Sequence, residues 1–269
     1  VEPDHFTSAL EFLLNRQNGV TTDALFGLAN ALRAVAAHHV KAPPAQLDLL
    51  RRISLGLEPE ESRLGVRSEQ RLEAFEDERV LAALLHLPRK LLDLAERKSV
   101  KPRNAKVMAQ VAIAIEIELF APLRLKNITE LNLNQHIQEV QKQGKTHWII
   151  RANRPDTKNS NKLTYVIPHD SVAFIKRAQR LYSQKGGWLF PGRGDRHKCE
   201  RTLGDQITDK IESNLRTEFN THLFRALGAT LHLKDNPNGF EAVKAFLGDR
   251  DDTVIRKSYT SFADRHLIA

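Results

Sequence analysis

The stretch NTHLFRALGATLHL, residues 220–233, sets an imidazole and a guanidinium three positions apart. At about 100° per residue, Leu223, Phe224, Leu227, Gly228 and Leu231 share one arc of a helix, and His222 and Arg225 share the opposite arc. The residues between them on that second arc are Ala226 and Ala229, where a solvent-facing arc of a basic protein would carry long Lys, Glu or Gln side chains. A guanidinium keeps its charge for an anion, and an imidazole exchanges protons near neutral pH. The two alanines clear the space around that pair.

Three further residues stand where chemistry is possible. Arg124 follows the most apolar segment of the chain, VMAQVAIAIEIELFAPLRL, residues 107–125. That segment is too short for a membrane span and contains Glu116 and Glu118, so it reads as a buried core helix ended by Pro122. A charge placed directly behind a core helix is held rigidly. Lys158 lies in the turn-rich NRPDTKNSN, and Tyr259 lies in FLGDRDDTVIRKSYTSF, residues 246–262, which reads as a late helical segment. Taken singly, each of these is what an ordinary surface or core position would also contain.

Helices dominate the elements that must hold them. Residues 6–55 have apolar side chains at three- and four-residue spacing, interrupted by the Pro43-Pro44 pair. Residues 58–70 are polar and aperiodic and mark a boundary, giving an N-terminal region 1–66 and a second domain 67–269. Helical pattern resumes at DERVLAALLHLPRKLLDLAER. From residue 147 the period changes to two: HWIIRA and KLTYVIP predict paired antiparallel strands over 147–152 and 162–167. WLFPGRGDRH reads as a loop without the spacing or Lys-Ser/Thr of a phosphate-binding P-loop. Helix returns to residue 262. The fold class is thus mostly α with a small antiparallel sheet, α+β.

Composition narrows the partner. Residues 1–66 hold 6 Lys/Arg against 8 Asp/Glu, a net of −2, and the remainder holds 35 against 25, a net of +10. Such a surplus fits a polyanion such as nucleic acid. The one cysteine, Cys199, excludes a disulfide framework and a cysteine-based zinc cluster, and no His pair has ligand spacing, so no metal is expected. The chain begins at Val1 with no secretory leader visible, from which a cytoplasmic location and a missing N-terminal portion are expected.

The order APLRLKNITELNL, TKN, HLFR and FLGD, with a tyrosine ten residues after that last Asp, resembles the tyrosine recombinase (phage integrase) family over roughly residues 72–262. The family order is Arg, a β-hairpin Lys, His-x-x-Arg, a Leu-Gly-His box and a nucleophilic Tyr. The resemblance implies a tyrosine recombinase catalytic-domain fold preceded by a helical, core-binding-like region. It implies a bacterial integrase-like enzyme of the cytoplasm, nucleoid-associated when on DNA, that cleaves and rejoins double-stranded DNA as a homotetramer. Neither a metal nor a nucleotide cofactor is needed, because the covalent intermediate conserves the bond energy.

By the same resemblance, Tyr259 attacks the scissile phosphate to leave a 3′-phosphotyrosine and a free 5′-hydroxyl. Arg124 and Arg225 stabilise the charge that grows on the non-bridging oxygens. Lys158 protonates the leaving oxygen, and His222 accepts the tyrosine proton or hydrogen-bonds the phosphate. Asp249 stands where the family's box has His, Ala226 where many members have a second His, and Asn127 where many have Glu. Two alternatives stay open: a DNA-binding protein of this fold that no longer cleaves, and a type IB topoisomerase-like enzyme.

Overall fold

A computed structural model of the chain describes residues 3–59, 66–142, 144–152 and 163–248. The chain divides into two compact units, residues 1–63 and 64–269. Both are built mainly from helices.

The first unit contains α1 (Pro3–Arg16), α2 (Asp23–Val35), a π turn over Ala36–Val40, and α3 (Pro44–Leu55). Thr22 starts α2 by accepting the Leu25 N–H at 3.3 Å, and Pro44 opens α3 where a missing N–H costs nothing. Phe6, Leu10, Leu25, Ala29, Ala36 and Leu50 form its core.

The second unit starts with α4 (Val66–Glu73), inside a stretch whose sequence shows no periodicity, and continues through α5 (Glu78–Ala95) to α6 (Pro102–Phe120). Asp77 caps α5 by accepting the Arg79 N–H at 2.8 Å. Every residue of α6 from Ala109 to Glu118 is buried, as expected of a helix apolar on all sides. Around it pack α5, α8 (His169–Gln179), α9 (Glu200–Leu215) and α10 (Leu223–Asp235). The short α7 (Leu125–Thr129) lies against α9, and α11 (Phe240–Leu247) lies against α10.

One antiparallel sheet completes the unit in the order β1 (Ile137–Lys142), β2 (Lys145–Ala152), β3 (Leu163–Ile167). Ile150 pairs with Ile137 on one side and with Tyr165 on the other. Lys142 pairs with Lys145, and Gly144 takes the positive φ of +72° that so tight a connection requires. The two strands expected from the period-two pattern are present. The edge strand β1 was not expected: its apolar Ile137 and Val140 are three apart, and it buries no face completely.

Candidate active site

Arg225 lies in the first turn of α10, half-buried, and joins three elements that are remote in sequence. Its Nη1 donates to the Pro122 carbonyl at 2.8 Å, and its Nη2 donates to the Leu247 carbonyl at 3.1 Å. Pro122 stands two residues before Arg124, in the turn that follows α6. Leu247 ends α11, two residues before Asp249. Both carbonyls come from places where a helix has stopped and left acceptors without an intrahelical donor.

Arg124 is the N-cap residue of α7, with extended backbone (φ −65°, ψ 141°), and its carbonyl accepts the Ile128 N–H at 3.1 Å. Leu123 and Ile128, both buried, clamp the backbone on either side while the Arg124 side chain is exposed. His222 is the N-cap residue of α10 and is also exposed; its N–H donates to Asn220 Oδ1 at 3.0 Å. The Arg225 N–H donates to the His222 carbonyl at 3.2 Å, so both side chains leave one helical turn.

The exit of α11 is tied a second time. Tyr165 of β3 donates its hydroxyl to the Phe246 carbonyl at 2.5 Å, and the two rings meet edge to face at 6.1 Å. Gly248 then takes φ +63° as the chain leaves the helix. At Gly228 a Cβ would sit 3.1 Å from the Phe246 ring and 3.9 Å from the Pro122 ring, so α10, α11 and the post-α6 turn approach closely there.

Beneath this corner lies Glu118, which is 1 % exposed, with neither carboxyl oxygen hydrogen-bonded among the described residues. Burial holds its carboxyl well above the usual range, and the nearby Arg225 charge offsets that only in part. Burial thus disfavours the ionised Glu118 carboxyl, and the Arg225 charge favours it. The sequence reading did not single out Glu118; its signal was a carboxylate that, with Gln110 and Glu116, interrupts a mostly apolar run.

One expectation is corrected. Ala226 and Ala229 do not open a surface: they are 3 % and 0 % exposed, buried in the core of the second unit. The arc they share with His222 and Arg225 is solvent-facing only at its N-terminal end, because α10 is packed by α4, α6 and α11 on several sides at once. They are small because helices cross closely there. Of the six sequence-derived site residues, Arg124, His222 and Arg225 are described, and the Pro122 tie brings the two arginine segments together. Lys158, Asp249 and Tyr259 lie outside the described residues. Among the described residues no His, Cys, Asp and Glu cluster could hold a metal ion, and no helix is long and apolar enough to cross a membrane.

No family model and no curated protein matches the sequence. Solved structures do match in three dimensions. The XerH site-specific recombinase bound to difH substrate in a pre-cleavage complex aligns with 86 % of this chain at 17 % identity and a TM-score of 0.51. Its post-cleavage complex on palindromic difH aligns with 89 % of this chain, and 70 % of its own, at 17 % identity and a TM-score of 0.52. The Tn1549 transposon integrase in complex with circular intermediate DNA aligns with 99 % of this chain and 86 % of its own at 14 % identity and a TM-score of 0.50. The chain has the tyrosine recombinase fold. It spans 65 % of the XerH chain in the pre-cleavage complex. Within that tyrosine recombinase fold, the Arg225 corner lies where three secondary-structure ends converge.

Proposed function

We propose that this protein is a site-specific DNA recombinase or integrase that cleaves and rejoins strands through a 3′-phosphotyrosine intermediate. Residues 67–269 act as the catalytic domain and residues 1–66 as a core-binding-like region. Tyr259 is the nucleophile; Arg124 and Arg225 hold the non-bridging oxygens; Lys158 protonates the 5′-oxygen; His222 takes the tyrosine proton or binds the phosphate. Exchange of strands between two duplexes needs four cleavages, so the working form is a homotetramer on double-stranded DNA, in the bacterial cytoplasm.

One observation carries this reading. The Arg225 guanidinium is locked to the Pro122 carbonyl at 2.8 Å, which couples the Arg124 turn to the His222-x-x-Arg225 turn. A phosphoryl-transfer site needs cations that are already in place when charge develops, since reorganising them costs part of the stabilisation. Arg225 has its orientation set by two backbone carbonyls before any DNA arrives. The neighbours solved on DNA, XerH with difH and the Tn1549 integrase with its circular intermediate, support DNA as the partner.

The sequence of the box, Leu247-Gly248-Asp249, favours a second reading in which the protein binds DNA but cleaves poorly or not at all. Incubation with nicked duplexes, recovered by binding from a randomised pool, separates the two. A recombinase traps a covalent protein–DNA band on a denaturing gel, removable by protease. Tight binding without any such band would support the non-cleaving reading and overturn the first.

A further inference from the structure

Between the N-terminal half of α6, the loop after Phe190 and the first turns of α9 lies a cleft of about 540 Å³. Arg103, Lys106, Arg193, Arg196, His197 and Lys198 line it, and no Asp or Glu does among the described residues. Five Lys and Arg side chains around one hollow repel each other when charged, and among the described residues no lining carboxylate compensates that repulsion.

Lys198 makes the point sharpest. It is 8 % exposed, its ammonium donates to Gln206 Oε1 at 2.9 Å, and its backbone is pinned by an N–H to the Phe190 carbonyl at 2.7 Å. Burial first, and then the charge of Lys106, lower its pKa to about 8. An ammonium left partly desolvated beside another cation is poised for an anion that would restore its charge. The loop that carries it is rigid: the Gly192 N–H donates to the Arg196 carbonyl at 2.9 Å, and a Cβ at Gly192 would lie 2.6 Å from the His197 carbonyl oxygen. Gln110, buried in the cleft wall, donates its amide N–H to the Pro191 carbonyl at 3.4 Å and ties α6 to this loop.

We infer that this cleft is a second phosphate-binding site, separate from the Arg225 corner, which takes a non-scissile phosphate of the DNA backbone and sets the duplex's position. Guanidinium forks and a held ammonium match phosphate oxygens better than they match any neutral ligand. The lining residues of α6 stand 10 to 17 residues before its end at Phe120, about 15 to 25 Å along the axis at 1.5 Å per residue. One turn of duplex, about 34 Å, is long enough to touch both places. The inference rests on the reading of the protein as one that acts on DNA.

The test uses the full chain and three proteins: native, Arg193→Ala/Arg196→Ala, and a charge-matched control, Lys98→Ala/Arg180→Ala, whose residues are exposed and outside the cleft. Binding to a short duplex is measured by fluorescence anisotropy across a salt series. Loss of the cleft phosphate should lower the slope of log affinity against log salt by about 1 and weaken binding roughly 10-fold at 0.15 M salt. The control should follow the native protein. A cleft variant that matches the control overturns the inference while leaving the DNA reading intact; a native protein that binds no duplex overturns both. In a separate arm, pyrophosphate or ATP is titrated against native protein. Saturable binding that is lost in the cleft variant and that duplex cannot displace would assign the cleft to a free phosphate compound, and overturn the DNA assignment.

Discussion

The Arg225 guanidinium donates to the carbonyl of Pro122, 103 residues earlier in the chain, at 2.8 Å. This bond, with its companion to Leu247 at 3.1 Å, converts a flexible side chain into a fixed one. A charged donor on a neutral acceptor contributes more than an ordinary hydrogen bond, about 1.5–3 kcal/mol where it is shielded from water.

Replacement of Arg225 should therefore act twice. Arg225→Ala should lower cleavage by about 10²–10³-fold, the scale for removing one preorganised stabiliser. It should also lower the melting temperature, because two carbonyls lose their donor. Arg225→Lys should not restore cleavage, since an ammonium cannot span two acceptors as the planar fork does. Single-turnover cleavage and thermal unfolding measured on both variants check this; full activity in the Lys variant would contradict it.

Glu118 provides a pH signature. Its folded pKa lies above the ordinary value of 4.5, so the native state holds the proton more tightly than the unfolded chain does. The stabilising contribution is complete below pH 4.5 and is lost as pH rises toward the folded pKa. Glu118→Gln keeps the shape and removes the titration, so its stability relative to the native protein should grow as pH rises above that point. Parallel melting-temperature curves for the two proteins from pH 4 to 8 would mean the carboxyl does not titrate as described.

Tyr259→Phe removes one hydroxyl and no charge. The covalent adduct should disappear from denaturing gels while affinity for duplex stays within about twofold, as phosphate contacts dominate that affinity. An adduct that persists would move the nucleophile elsewhere.

Lys158 should be rescued by chemistry at its target. A 5′-bridging phosphorothiolate leaves without a proton, so Lys158→Ala should cut that substrate nearly as fast as the native protein does, though it cuts the oxygen substrate slowly. An equal defect on both substrates would make Lys158 a binding contact instead.

In the proposed reading, Asp249 stands where the tyrosine recombinases that the sequence resembles have an imidazole. Two unit charges 4 Å apart interact by about 4 kcal/mol at an effective dielectric near 20, so an ionised Asp249 facing the phosphate would oppose the growing charge. The native protein should cleave weakly, and Asp249→His should raise the rate. A lower rate in that variant would show that the carboxylate is useful as it stands, for instance by orienting an arginine.

Several features could be read directly from residue order because their causes are local. The run from Val107 to Phe120 is mostly apolar around its circumference, as suits a buried helix, and the period-two pattern of HWIIRA and KLTYVIP suits strands. The order of Arg, Lys, His-x-x-Arg and Tyr is also a matter of sequence, and the proposed roles rest on it. Other features were decided only by packing. Periodicity places Ala226 and Ala229 on an arc but cannot say whether another helix covers that arc, and here one does. Strand β1 exists because β2 supplies its partners, not because Ile137 to Lys142 prefer to extend. Arg225 finds its two carbonyls 103 and 22 residues away, and its charge acts on Glu118 because α6 and α10 pack together. Sequence alone determined which charged side chains are available to the proposed site. The tertiary structure decided how Arg225 is aimed, because helix ends leave carbonyls unsatisfied, and which of them come within hydrogen-bonding reach depends on how the helices pack.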